Sequence, residues 1–172
     1  IEENPFWDFS LKFYDQKNVT TSCLALQENV GADINLLLYC CWVASEGAVI
    51  IESGEFVEII NTIAPWQLKV IMCLRQIRRD MKKGSKCDLG ELSEGLRQSI
   101  KKCELEGERI EQIILYESGL KNFPIITAEP SEKVTNAKIN LTNYLLIVDG
   151  VISEDSKKLI RIIGDELILY IK

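Results

Sequence analysis

Apolar side chains recur every three or four residues along most of the chain, and this spacing constrains the fold more than any other feature of the sequence. The pattern is clearest at Ile34, Leu37, Leu38, Cys41 and Trp42. Side chains at these positions share one face of an α-helix, because the helix turns once every 3.6 residues. Apolar neighbours widen this face, so we predict a central helix that is nearly surrounded by others.

Capping residues divide the remaining periodic segments into about seven helices. Asn4 is expected to cap the first helix, with Pro5 at its first position. Either Asp33 or Asn35 is expected to cap the central helix. Gly31 is a natural terminator of the helix before it, because glycine tolerates the left-handed conformation found at helix ends.

Pro65 interrupts a helical pattern and predicts a break or kink near Ala64, because proline removes one backbone hydrogen bond and clashes with the preceding turn. Further on, Asp88 opens a long amphipathic stretch whose first apolar stripe is Leu89, Leu92, Leu96, Ile100 and Cys103. No linker is long enough to split the chain. We therefore predict a single all-α domain over 1–172, a helical bundle kinked at Pro65 whose last two helices, over 131–171, form a C-terminal pair.

Composition excludes several function classes. The 172 residues include no histidine, which removes histidine-based catalytic triads and histidine metal sites. The net charge of −6 argues against nucleic acid as a partner, because affinity for nucleic acid rests mainly on cations that meet phosphates. Phosphate-binding glycine loops are also missing from the sequence. We expect no metal and no cofactor.

Six cysteines without any Cys-x-x-Cys spacing indicate a reduced, cytoplasmic protein rather than a disulfide scaffold. Cys87 is the most plausible reactive thiol, because it follows Lys86 and precedes a helix start, although an ordinary exposed thiol is the simpler interpretation. The chain has no uninterrupted run of 18 apolar residues, so a membrane-spanning helix is not expected.

Two oppositely charged clusters are expected to meet. The basic cluster is Arg75, Arg78, Arg79, Lys82 and Lys83, and the acidic cluster is Glu104, Glu106, Glu108 and Glu111. If their helices pack antiparallel, an Arg–Glu network explains both clusters. The alternatives are an anion-binding or partner-binding site, a nucleic-acid patch, and a cation site among the glutamates.

A group of seven aromatic residues within the first 66 positions is the richest local feature of the sequence. They are Phe6, Trp7, Phe9, Phe13, Tyr14, Trp42 and Trp66. At helical spacing such residues usually form core. The alternatives are a protein-binding groove or a small-molecule pocket with Asp8, Asn35 and Arg75 as polar anchors.

The opening segment Asn4-Pro5-Phe6-Trp7-Asp8-Phe9-Ser10-Leu11, followed by Phe13-Tyr14, resembles the start of a small proteobacterial family known only as a domain of unknown function. The likeness extends over roughly 4–118 and includes the basic and acidic clusters. The resemblance implies no activity, cofactor or partner, since none is established for that family.

We predict a non-enzymatic, cytoplasmic protein-interaction module, with a protein partner or self-association. A helical bundle that binds a small apolar or anionic ligand is the alternative. The candidate binding residues are Trp7, Asp8, Asn35, Trp42, Trp66, Arg75, Arg79, Glu104 and Glu108.

Overall fold

The computed structural model describes residues 4–47, 50–85, 87–120 and 127–171, with the side chains of 119 and 120 excluded. All regular structure in these ranges is helical, so the all-α prediction is confirmed. The helices are α1 Pro5–Tyr14, α2 Lys17–Val30, α3 Ile34–Ser45, α4 Ser53–Trp66, α5 Met72–Asp80, α6 Glu91–Leu120, α7 Pro130–Asp149 and α8 Glu154–Tyr170.

The predicted caps fix several of these boundaries. The Asn4 side chain accepts a hydrogen bond from the Phe6 amide at 3.0 Å, and Pro5 is the first residue of α1. Asp33, rather than Asn35, caps α3 by accepting from the Leu36 amide at 3.0 Å. The left-handed φ of +72° at Gly31 ends α2, as its lack of a side chain predicts.

Helices α4 and α5 form one continuous helix, Ser53–Asp80, so the described chain contains seven separate helical rods, the number predicted. The irregularity expected at Pro65 takes the form of a wider turn. The helix continues through Pro65 and then passes into a π-helical turn at Gln67–Ile71. A π-helical turn contains an extra residue, and such turns accompany interruptions of the regular α-helical hydrogen bonds.

Ser53–Asp80 is also the one helix in the described ranges that is long and apolar enough to cross a membrane, judged by length and composition alone. Only 17% of its most apolar stretch is buried. Its buried residues Phe56, Ile59 and Ile63 nevertheless belong to the same core cluster as α3. The prediction that the protein has no membrane span remains a prediction.

Helix α3 is the centre of the bundle, as its apolar periodicity predicts. Every residue from 35 to 44 is buried. α7 packs along α3 more extensively than any other helix does, while α8 covers α2 and α7. The connection before α4 is anchored to α7: the Ile51 amide donates to Asn140 Oδ1 at 2.8 Å, and the Asn143 side chain donates to the Ile51 carbonyl at 3.1 Å.

Helix α5, the following turn and the first half of α6 form a two-helix extension, 72–103, which we call the arm. Among its described residues only Ser93 is buried. Asp88 does not begin α6, which starts three residues later. Its carboxylate instead accepts from the amides of Gly84 at 2.7 Å and Gly90 at 2.9 Å, and so closes the turn.

Candidate functional site

The base of the arm is fixed by the ion network that the two charged clusters predict. Arg75 donates from Nε to Glu104 at 3.0 Å and from Nη2 to Glu108 at 2.8 Å. Arg78 also donates to Glu104. Burial opposes ionisation of Glu104, but the hydrogen bonds from Arg78 and Arg75 outweigh it and lower the pKa of this carboxyl. This part of the basic cluster therefore has a structural role.

A second set of hydrogen bonds joins α6 to α3 and α4. The Asn35 side chain, which is buried, donates to the Glu108 carbonyl at 3.3 Å and accepts from Gln112 at 2.8 Å. Trp66 donates from its indole nitrogen to the Gly107 carbonyl at 2.9 Å. Buried amides and indoles are stable only when they are hydrogen-bonded, so these contacts fix the position of α6 against the bundle.

Asp33 occupies the point where α3, α4 and α7 meet. One carboxylate oxygen caps α3, the other accepts from Gln67 Nε2 at 2.7 Å, and the Asp33 amide donates to the Tyr144 hydroxyl at 2.8 Å. Burial raises the pKa of Asp33, while hydrogen bonds from the Leu36 amide and Gln67 act against that rise.

Glu111 is a fully buried acid on the inner face of α6. Its side chain is 0% exposed, and the side chains of Asp33 and Asn35 interact with its carboxyl group. Burial, followed by the negative charge of Asp33, raises the pKa of Glu111 to about 9. At neutral pH the Glu111 carboxyl therefore holds a proton. Burial likewise raises the pKa of Glu108, although Arg75 opposes that shift.

A cavity of about 270 Å³ lies beside Asp33. Its polar lining comes from Gln27, Asp33, Gln67, Arg75 and Tyr144. The remaining wall is Gly31, Ala32, Leu36, Ile60, Met72 and Val148, which is largely apolar. Small-molecule sites commonly combine apolar walls with a few convergent polar groups in this way.

The predicted site residues separate into three groups. Asn35, Trp66, Arg75, Glu104 and Glu108 come together around α6 as described above. Trp42 lies in the aromatic core instead, with its ring 5.2 Å from that of Phe6 and 5.5 Å from that of Tyr116. Trp7, Asp8 and Arg79 lie apart from the cavity.

Those last three residues have other surroundings. The Arg109 guanidinium lies 5.8 Å from the centre of the Trp7 ring, a cation–π contact at the surface of α1. Asp8 is exposed in the first turn of α1. Arg79 is exposed, and no salt bridge to it is found in the part of the chain that the structure describes.

The cysteines divide evenly between core and surface. Cys23, Cys40 and Cys41 are buried, whereas Cys73, Cys87 and Cys103 are exposed, and all six are unbridged. Burial raises the pKa of the Cys23 thiol to about 12 and that of Cys40 further still. The described residues contain no cluster of three or more acidic or cysteine side chains that could hold a metal ion.

Three residues of the cavity region have site roles that the sequence patterns did not assign. Asp33 was identified only as a helix cap, and neither Gln67 nor Tyr144 belongs to a recognisable motif. The one sequence pattern that could have identified a further residue of this site is the seven-residue spacing from Glu104 to Glu111. It places Glu111 on the same side of α6 as the glutamates that contact Arg75.

The comparisons with known proteins bear on the family and not on an activity. Neither the curated proteins nor the solved structures provide a significant match to the chain. A family model described as "Protein of unknown function (DUF2390)" matches residues 5–115, well over half of the chain. These residues include α1 to α5 and most of α6, with the opening motif from Pro5 onward and both charged clusters, and the chain therefore belongs to this family of unknown function.

Proposed function

We propose that this protein is a non-enzymatic protein-interaction module of the bacterial cytoplasm and that the arm is its docking surface. The observation that carries the proposal is the exposure of an apolar stripe at the start of α6. Leu92 and Leu96 of α6 are 89% and 59% exposed, Leu89 just before the helix is 66% exposed, and Cys103 continues the stripe at the surface. A stripe at helical spacing that none of the described residues covers is typical of an interaction site.

Charge defines the kind of partner. Residues 72–103 contain nine basic and four acidic side chains, whereas the rest of the chain contains eleven basic and twenty-two acidic ones. Arg79, Lys82 and Lys83 are exposed on the arm, beyond the residues that pair with Glu104. A basic surface next to leucines favours a partner that presents an apolar helix face bordered by acidic residues.

The cysteines support a reducing compartment. Six unbridged thiols, three of them at the surface, are typical of a protein kept away from oxidising conditions. Proteins that act by docking need no nucleophile or general base, and the polar network around α6 serves to hold the arm in place.

The test uses two variants of the arm and one control. Leu92→Ser with Leu96→Ser removes apolar area, and Arg79→Glu with Lys83→Glu reverses charge. Leu169→Ser, at a 65% exposed position on α8, removes a leucine far from the arm. Each tagged protein is expressed in the native host, crosslinked in the cell and purified, and its crosslinks are mapped by mass spectrometry.

We expect to recover one partner protein, with crosslinks that join an acidic helix of this partner to the arm. Its recovery should fall at least tenfold in both arm variants and stay unchanged in Leu169→Ser. Crosslinks that lie mainly outside 72–103, or equal recovery with all variants, would contradict the proposal. A dimer of this chain through the arm, or binding of the arm to anionic vesicles without a protein partner, would also contradict it.

A further inference from the structure

The cavity beside Asp33 has walls from four separated parts of the chain. The end of α2 and the start of α3 contribute one side, and Ile60 and Gln67 contribute another. Met72 and Arg75 of α5 and Tyr144 and Val148 of α7 complete it. Its volume of about 270 Å³ lies just below the range of typical drug-sized sites, so it suits a smaller molecule.

Oxygen acceptors are among the polar groups of this cavity, beside the guanidinium of Arg75. Each Asp33 carboxylate oxygen accepts one hydrogen bond, from the Leu36 amide or from Gln67, and the Glu111 carboxyl also hydrogen-bonds to Asp33. A carboxylate offers about four acceptor positions, so one remains. Tyr144 and Gln67, which carry further acceptor oxygens, belong to the same lining.

The surroundings of the cavity also contain more acid than base. Three carboxylates, those of Asp33, Glu104 and Glu108, accompany the two guanidinium groups of Arg75 and Arg78, since the Glu111 carboxyl holds a proton. Arg75 is already engaged by two glutamates. Behind Asp33, the buried Glu111 carboxyl interacts with the Asp33 side chain and adds no charge of its own. A cation bound at Asp33 would correct this imbalance.

We propose that this cavity binds a small primary amine in its ammonium form, with the ammonium group at Asp33 and a short apolar chain against Leu36, Ile60 and Val148. An ammonium group carries three N–H donors and one positive charge, which match the acceptor oxygens of Asp33, Tyr144 and Gln67 and the one carboxylate in excess. The small anion considered from the sequence fits less well, because the guanidinium of Arg75 already pairs with Glu104 and Glu108.

The probe is n-butylammonium, compared with n-butanol and butyrate, which have the same chain length but are neutral and anionic. Binding is measured on the full chain by isothermal titration calorimetry and by the rise in melting temperature. Asp33→Asn removes the charge while retaining a good helix cap, since asparagine caps as well as aspartate. Asp8→Asn, at an exposed position on α1, is the matched control.

The expected result is saturable binding of n-butylammonium at millimolar concentration, with an affinity at least tenfold lower in Asp33→Asn and unchanged in Asp8→Asn. Val148→Trp, which fills the cavity from its outer wall and leaves Asp33 in place, should weaken binding to a similar extent. Far-ultraviolet circular dichroism establishes that each variant is folded.

Equal binding by n-butanol, equal affinity in Asp33→Asn, or the absence of saturation would overturn the proposal. The arm leucines do not line the cavity. The Leu92→Ser and Leu96→Ser protein should therefore bind the amine normally, so this inference and the docking proposal can fail independently.

Discussion

Carboxyl groups only a few residues apart on α6 differ in protonation because their neighbours differ. Glu104 receives hydrogen bonds from two arginines, which lower its pKa despite burial. Glu111, seven residues later on the same side of the helix, receives none from an arginine, and burial raises its pKa. The protonated form of Glu111 therefore dominates at neutral pH, with consequences for stability.

We predict that replacing Glu111 with glutamine stabilises the protein increasingly as pH rises. In the folded chain the Glu111 pKa is about 9, above its ordinary value of 4.5. The unfolded chain therefore loses this proton at a lower pH than the folded chain does. As a result, the free energy of unfolding of the wild type falls as the pH rises from 4.5 to about 9. Glutamine has the shape of the protonated acid without this dependence. The difference in unfolding free energy should grow from near zero at pH 5 to about 1–3 kcal/mol at pH 8.

Urea denaturation at pH 5, 6.5 and 8 measures this difference. The groups that act on Glu111 are Asp33, Asn35 and Glu108, and they remain unchanged in the variant. Glu117→Gln, at an exposed position on the same helix, is the control and should follow wild type at each pH. A difference for Glu111→Gln that is independent of pH would show that the buried carboxyl is ionised throughout.

Helix-capping roles could be predicted from sequence, because they depend only on neighbouring residues in the chain. Asn4 caps α1 as expected, and Ser153 caps α8 in the same way, because a cap involves backbone only two or three residues away. The state of Glu111 could not be predicted in the same way. It depends on Asp33, 78 residues earlier in the sequence, and on burial that only the packed bundle creates.

The arm shows what periodicity can and cannot predict at the scale of an element. From Leu92 onward the predicted apolar stripe lies on one face of a long helix, whereas Leu89 precedes that helix, and most of the stripe is exposed. A periodic pattern identifies the face and not what covers it. The Arg–Glu network was predicted because both of its clusters lie on helices that a single turn connects.

We predict that Arg75→Leu destabilises the junction of α5 and α6 far more than Arg79→Leu does. Loss of Arg75 leaves Glu108 without its cation and Glu104 with Arg78 alone. Leaving a largely buried charge unpaired costs roughly 2–4 kcal/mol. Arg79 is exposed, so its replacement should change stability by no more than about 0.5 kcal/mol.

Chemical denaturation of the two leucine variants measures the difference, and hydrogen exchange localises it. Amides of α5 should exchange faster in Arg75→Leu, while those of α3 keep their protection. Similar stabilities for the two variants would mean that the network contributes little and that apolar contacts such as Ile71 against Gly107 hold the arm.

At the scale of the whole molecule, the core extends beyond the part that the family model matches. The matched residues, 5–115, include α3, but much of the surface that covers α3 belongs to α7. Leu141, Tyr144 and Leu145 of α7 are almost fully buried, and so are Ile163 and Leu167 of α8. The sequence predicted both helices as a C-terminal pair, but their position against α3 required the three-dimensional structure.

We predict that residues 1–118 do not fold alone. Without α7 and α8, one side of α3 and the core-facing side of α2 would be exposed to water. Burial of a single large apolar side chain contributes about 1.5–3 kcal/mol, so loss of partners for several such residues exceeds the whole stability of a typical domain. The fragment should therefore lack a cooperative thermal transition by circular dichroism and bind a hydrophobic dye. Addition of a separate 127–172 peptide should restore the transition, because it supplies the missing helices. A monomeric 1–118 fragment that melts cooperatively would instead show that the family-matched region is an independent domain and that α7 and α8 are an appendage to it.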